Sequence, residues 1–139
     1  MTFEELSKEK GYYISFEHIL EPRKKEAKLR IIVNKSQNQT DLVIFPHPDS
    51  KVKTLQIDFE NYVTYSVIYD DSTVWNDNEL FQGDSFRIYT KSNYIDFVQK
   101  ESKLNETLND KKFTHYSLAC IDHKVDVISY LEPWVKELN

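Results

Sequence analysis

The sequence predicts a single α+β domain over residues 1–139: a largely antiparallel sheet of about eight strands with about three helices packed against it. Three observations carry that expectation. Apolar and polar residues alternate with period two in most strand-like segments. Helix-start signals precede only three segments, and short connections suffice between most neighbouring strands. The chain of 139 residues is 40% hydrophobic and 14% aromatic, enough bulky side chains for one core.

Thr2 and Glu5 make a capping-box pattern that predicts a short helix from Phe3, stopped by Gly11 in a left-handed conformation. From Tyr12 to Leu20 the period becomes two, with Ile14, Phe16, His18 and Leu20 expected on one face. After the charged connection 21–25, Leu29, Ile31 and Val33 mark a second strand. The run Leu42-Val43-Ile44-Phe45 predicts a third, ended by Pro46 and Pro48, which lack the ladder N–H.

The segments 52–59 and 63–69 are expected to form a hairpin. A three-residue turn, Glu60-Asn61-Tyr62, matches Phe59 to Val63 and Ile57 to Tyr65, with Asn61 the best residue for positive φ. Asp70 to Asp84 reads as a long polar segment, followed by a strand at Phe86–Thr90. Ser92 or Asn93 caps a helix expected from Tyr94 to Leu104. The last two strands, 113–121 and 124–130, join at Asp122-His123, opposing Cys120 to Val125 and Leu118 to Val127. Pro133 suits a first helical turn, so a C-terminal helix carrying Trp134 and Leu138 is expected.

Composition excludes several function classes. With only Gly11 and Gly83, no glycine cluster exists to bring backbone close to a phosphate chain. Cys120 is the lone cysteine, so neither an intramolecular disulfide nor a cysteine-rich zinc site is expected. Net charge is −5, from 18 basic and 23 acidic residues, which argues against nucleic-acid binding and suits a basic partner. No apolar run approaches the roughly 18 residues of a membrane span, and Met1 to Leu6 lacks the order of a leader. A cytoplasmic protein without a membrane or cofactor requirement is the expectation.

The titratable residues form few patterns. His115, Ser117 and Asp126 are the residue types of a hydrolase triad and share a face in the expected register. Residues two apart on a strand stand about 7 Å apart, however, and Ser117 sits in no nucleophile elbow. Structural roles are therefore expected, and no catalytic residue is assigned. Cys120 is expected in the apolar face and His123 in the turn, against a thiol–imidazole pair. His18 is expected at the edge of the core and His47 in an exposed loop. The histidines lack the HxH and HExxH spacings, so no metal site is predicted.

Asp70, Asp71, Asp77, Glu79 and Asp84 crowd carboxylates around Trp75, without the spacing or glycine of a calcium loop. A solvated loop explains them. A recognition surface also does: Trp75 anchors a contact while Asp70, Asp71, Asp77 and Glu79 steer a basic protein toward it.

The stretch from Phe81-Gln82-Gly83-Asp84 through Arg87-Ile88-Tyr89-Thr90 to Tyr94-Ile95-Asp96-Phe97-Val98, with His115-Tyr116, Asp122-His123, Val125-Asp126-Val127-Ile128-Ser129 and Glu132-Pro133, covers roughly the second half of the chain. It resembles a group of small, functionally uncharacterised bacterial proteins, some of which look like immunity proteins encoded beside polymorphic toxins. The resemblance implies a cytoplasmic binding protein that neutralises a cognate toxin, and it supplies no functional residues. Two readings result. One is a non-enzymatic protein-binding module, in its finer form an immunity-type protein. The alternative is a small enzyme or small-molecule sensor with a pocket between sheet and helices around His115, Asp126 and Tyr130.

Overall fold

A computed structural model describes residues 1–43, 51–69, 78–101 and 112–138. Helix α1 (Phe3–Lys8) begins where its cap predicts, Thr2 Oγ1 accepting from the Glu5 N–H at 3.1 Å. Its buried face, Phe3 and Leu6, enters the core.

Strands β1 (Tyr13–Leu20), β2 (Leu29–Ser36) and β3 (Lys53–Phe59) form one antiparallel sheet, with β9 (Trp134–Glu137) on its far edge in the order β1-β2-β3-β9. The second sheet holds β4 (Thr64–Tyr69), β5 (Leu80–Gln82), β6 (Phe86–Lys91), β7 (Thr114–Ala119) and β8 (His123–Ser129), in the order β4-β8-β7-β6-β5. Helices α2 (Gln39–Val43) and α3 (Asn93–Glu101) complete the described elements. The α+β class and the numbers of strands and helices match the expectation. The strands, however, divide between two sheets that share one core. Leu29, Ile31, Val33, Leu55, Ile57 and Phe59 of the first sheet meet Phe86, Tyr116, Leu118, Val125 and Val127 of the second.

Several elements depart from the sequence expectation, each for a physical reason. In β1, Phe16 pairs with Val33 but His18 with Ile32, so Glu17 is a bulge residue. The bulge reverses the side-chain parity: Ile19 packs on the core, while His18 and Leu20 are exposed. The strand expected at 42–45 is replaced by helix α2 through Val43, residues 44 and 45 lying outside the described residues.

Strands β3 and β4 do not form a hairpin. The apolar face of β3 aligns with that of β2, Ile57 opposite Ile31 and Phe59 opposite Leu29, while β4 crosses to the other sheet and pairs with β8. Asn61 is not in the positive-φ region, where Arg23 is the only non-glycine among the described residues. The β7–β8 hairpin turns one residue early, at Ile121-Asp122, which slips the register by two and opposes Leu118 to Val125 and Tyr116 to Val127. A two-residue slip preserves parity, so the predicted faces survive the wrong register.

After Pro133 the chain is a strand, not a helix. So short a helix is unstable alone, whereas pairing with β3 places Val135 opposite Ile57 and buries it. The segment read as wholly polar contains β5, paired to β6.

Candidate functional site

The face of the second sheet turned away from the shared core carries the candidate chemistry. Two cross-strand rows build it: Tyr89, His115 and Ile128 in one, Arg87, Ser117 and Asp126 in the next. Alternation dictates this, since Tyr116, Leu118, Val125 and Val127 point into the core. The face is nevertheless closed: Ser92, His115 and Asp126 are 6, 1 and 5% exposed.

His115 is bonded at both ring nitrogens. Nδ1 lies 2.7 Å from Ser92 Oγ, and Nε2 lies 2.6 Å from Asp126 Oδ1. An ionised carboxylate only accepts, so Nε2–H donates to Asp126 and Nδ1 accepts the Ser92 hydroxyl proton. Ser92 Oγ also accepts from the Ile95 N–H at 3.0 Å, capping α3. Lys124 Nζ donates to both Asp126 oxygens, at 2.8 and 3.0 Å. Tyr89 stacks flat on the imidazole at 4.0 Å, and Tyr94 meets it edge-on at 5.3 Å.

Burial alone would push the Asp126 carboxyl up. The His115 hydrogen bond and the Lys124 charge outweigh it, so the group sits below its ordinary value. Burial would likewise lower Lys124, but the Asp126 charge and hydrogen bond raise it. The buried carboxylate and the partly buried ammonium thereby hold each other ionised.

Alternation places His115, Ser117 and Asp126 on one face, as expected, and joins the first and last of them. Ser92, not Ser117, completes the chain; Ser117 Oγ is buried without a hydrogen-bond partner among the described residues. Tyr130 lies elsewhere, lining a separate concavity with Glu21 and Tyr62. There Tyr62 donates to Glu21, whose hydrogen bond pushes the phenol up to about 12. The connectivity serine–histidine–aspartate is that of an activated nucleophile. Here the serine is a buried helix cap, and the arrangement staples α3 to the sheet.

Of the predicted partner-binding residues, Asp70, Asp71, Trp75 and Asp77 lie outside the described residues. Glu79 is described, and its Oε2 accepts from the Asn93 N–H at 3.0 Å, a second support for the start of α3. The strand leading into this acidic segment is β4, which among the described residues is an edge strand paired only with β8. Its end is apolar and open: Val67, Ile68 and Tyr69 are exposed, Tyr69 at 59%.

Sequence reasoning missed Trp134. It projects from β9, 68% exposed, opposite Asp58, which forms a bidentate pair with Arg30 at 2.7 and 3.0 Å. In-out alternation over Trp134-Val135-Lys136 was the available signal.

Cys120 is buried as expected, and burial pushes its thiol up. The His123 ring packs on Phe16 at 4.7 Å and on Tyr69 at 5.3 Å. His47 lies outside the described residues. Among the described residues, no three His, Cys, Asp or Glu side chains group as metal ligands do. Comparison with protein-family models, with curated proteins and with solved structures finds no match to this chain.

Proposed function

We propose that this chain is a non-enzymatic protein-binding module that takes a basic protein partner along the β4 edge. The observation that carries the reading is the position of that edge. Val67, Ile68 and Tyr69 are exposed on a strand that, among the described residues, is paired on one side only, and the chain runs directly on into the carboxylates Asp70, Asp71, Asp77 and Glu79. An open edge offers backbone hydrogen bonds to an added strand, its apolar side chains supply contact area, and the acidic segment steers a basic partner. In its finer form the module is an immunity-type protein, a reading supported by the resemblance of residues 81–133 and by the net charge of −5.

Co-expression with the product of the adjacent gene tests both forms. The expected result is a co-purifying complex that Ile68→Lys with Tyr69→Ala abolishes while the variant keeps the parent circular dichroism spectrum. No complex removes the toxin-neutralising form; a complex indifferent to the two substitutions removes the β4 edge.

One observation favours the enzyme reading: the hydrogen-bonded order Ser92, His115, Asp126. A fluorophosphonate probe separates the readings. The binding module leaves Ser92 unlabelled, because its hydroxyl is buried and committed to capping α3. Stoichiometric labelling of Ser92 would replace the binding reading with a hydrolytic one.

A further inference from the structure

The geometry points to a binding site for a small phosphorylated anion at one end of the core, where four lysines line an open concavity of about 780 Å³. The inward row of β2 runs Leu29, Ile31, Val33 and then Lys35; that of β3 runs Phe59, Ile57, Leu55 and then Lys53. Beyond the last apolar layer, the two inner faces thus end in lysines directly opposite each other, Lys35 paired with Lys53 in the ladder. Like charges at facing cross-strand positions destabilise a sheet, and neither register nor burial requires them here. Departures from local consistency of this kind concentrate at functional sites.

The surroundings hold the charge in place. Lys35 is mostly covered, ion-paired with Glu9, and its ammonium lies 4.6 Å from the centroid of the buried Tyr12 ring. Lys10 follows α1, and Lys51 precedes β3; both are exposed and line the same concavity. Among the described residues, Glu9 and Asp41 line the concavity with the four lysines, and Glu137 pairs with Lys53 from outside it at 3.9 Å, so the site keeps a positive balance on a chain whose net charge is −5. The volume falls within the range of small-ligand sites. Four lysines along one lining suit a group bearing two or more negative charges, and one such group between the facing Lys35 and Lys53 adds attraction where the two alone repel. This site involves neither β4 nor the acidic segment, so it stands independently of the proposed protein partner.

Titration calorimetry of the full chain with inorganic pyrophosphate, and separately with ATP, at about 150 mM salt tests the proposal. Saturable one-to-one binding of either is expected. Lys53→Gln should weaken it about tenfold, the loss of one charge-assisted contact, while Lys100→Gln on α3 leaves it unchanged. Without ligand, Lys53→Gln should melt no lower than the parent, because the exposed ion pair with Glu137 that it removes is worth little and the facing repulsion is relieved; with pyrophosphate it should gain less in Tm. Absence of saturable heat, equal weakening by Lys100→Gln, or a lower ligand-free Tm for Lys53→Gln would each overturn the proposal.

Discussion

His115 has both ring nitrogens bonded, one face stacked on Tyr89 and an edge contact from Tyr94, so its rotamer and tautomer are set by neighbours on three elements. Asp126 is the point where those constraints meet a charge. Truncation by Asp126→Ala leaves the buried His115 N–H without its acceptor and the partly buried Lys124 ammonium without its counter-charge, and should destabilise by about 3 kcal/mol, read as a lower urea midpoint with an unchanged slope. The same carboxylate makes stability depend on acid. Asp126 binds its proton less readily folded than unfolded. Its contribution is therefore complete above the ordinary carboxylate value of about 3.9, and it is lost as pH falls through the depressed folded value. Asp126→Asn should flatten that acid limb in urea titrations between about pH 5 and pH 2; an unchanged limb would assign the acid sensitivity to other carboxylates. His115 and Asp126 were legible in the sequence because alternation alone puts them on one face. Ser92 was not. It lies 23 residues from His115 on a connection between elements, and periodicity says nothing about where a connection leads.

At the scale of elements, local chemistry decided where chains start and turn, and tertiary contacts decided what they pair with. Thr2, and Ser92 of the two cap candidates Ser92 and Asn93, mark the starts of α1 and α3 to within a residue, because a cap satisfies orphan N–H groups within its own turn. Strand partners were less legible. The expected β3–β4 hairpin assumed that neighbours pair, yet the aligned faces of β2 and β3 bury Ile31 against Ile57. The C-terminal helix failed similarly, because β3 offered an edge that the pattern around Trp134 could not reveal. Gly83 shows an element boundary held by backbone contact. At φ +104°, a Cβ there would stand 2.0 Å from the Phe86 carbonyl oxygen and 3.1 Å from that of Ser7, between the β5–β6 connection and α1. Gly11, at φ +81°, faces open space. Gly11→Ala should therefore cost about 1 kcal/mol for the left-handed backbone alone. Gly83→Ala should cost more than about 2 kcal/mol, since steric displacement adds to strain. Equal losses in thermal melts would show that the contact at Gly83 yields freely. Ser92→Ala acts on a different boundary, removing the cap of a helix that buries none of its residues. A loss of about 1–2 kcal/mol is expected, with faster amide exchange at Ile95 and Asp96 as the local signature.

Across the whole molecule, one side chain links the sheets to the N-terminal helix. Phe3 is fully buried and meets Phe86 and Tyr116 of the second sheet edge-on, at 5.4 and 5.1 Å; Tyr116 in turn meets Phe59 of the first sheet at 5.8 Å. The chain also joins the sheets through its backbone, Ile121 N–H donating to Ile14 C=O at 2.9 Å and Phe16 N–H to the Asp122 carboxylate at 3.1 Å. Neither sheet can bury its apolar face without the other, so the two should unfold together rather than as separate units. Phe3→Ala tests this, because its ring meets Phe86 and Tyr116 of the second sheet while it shares one buried cluster with Ile57 and Phe59 of the first. The cavity should cost about 3–5 kcal/mol, a large part of the stability of a domain this size. If the core is one cooperative unit, native-state amide exchange at Ile57 in β3 and Val127 in β8 should lose the same free energy. A selective loss at Val127, with Ile57 unmoved, would mean that the first sheet stands without its partner.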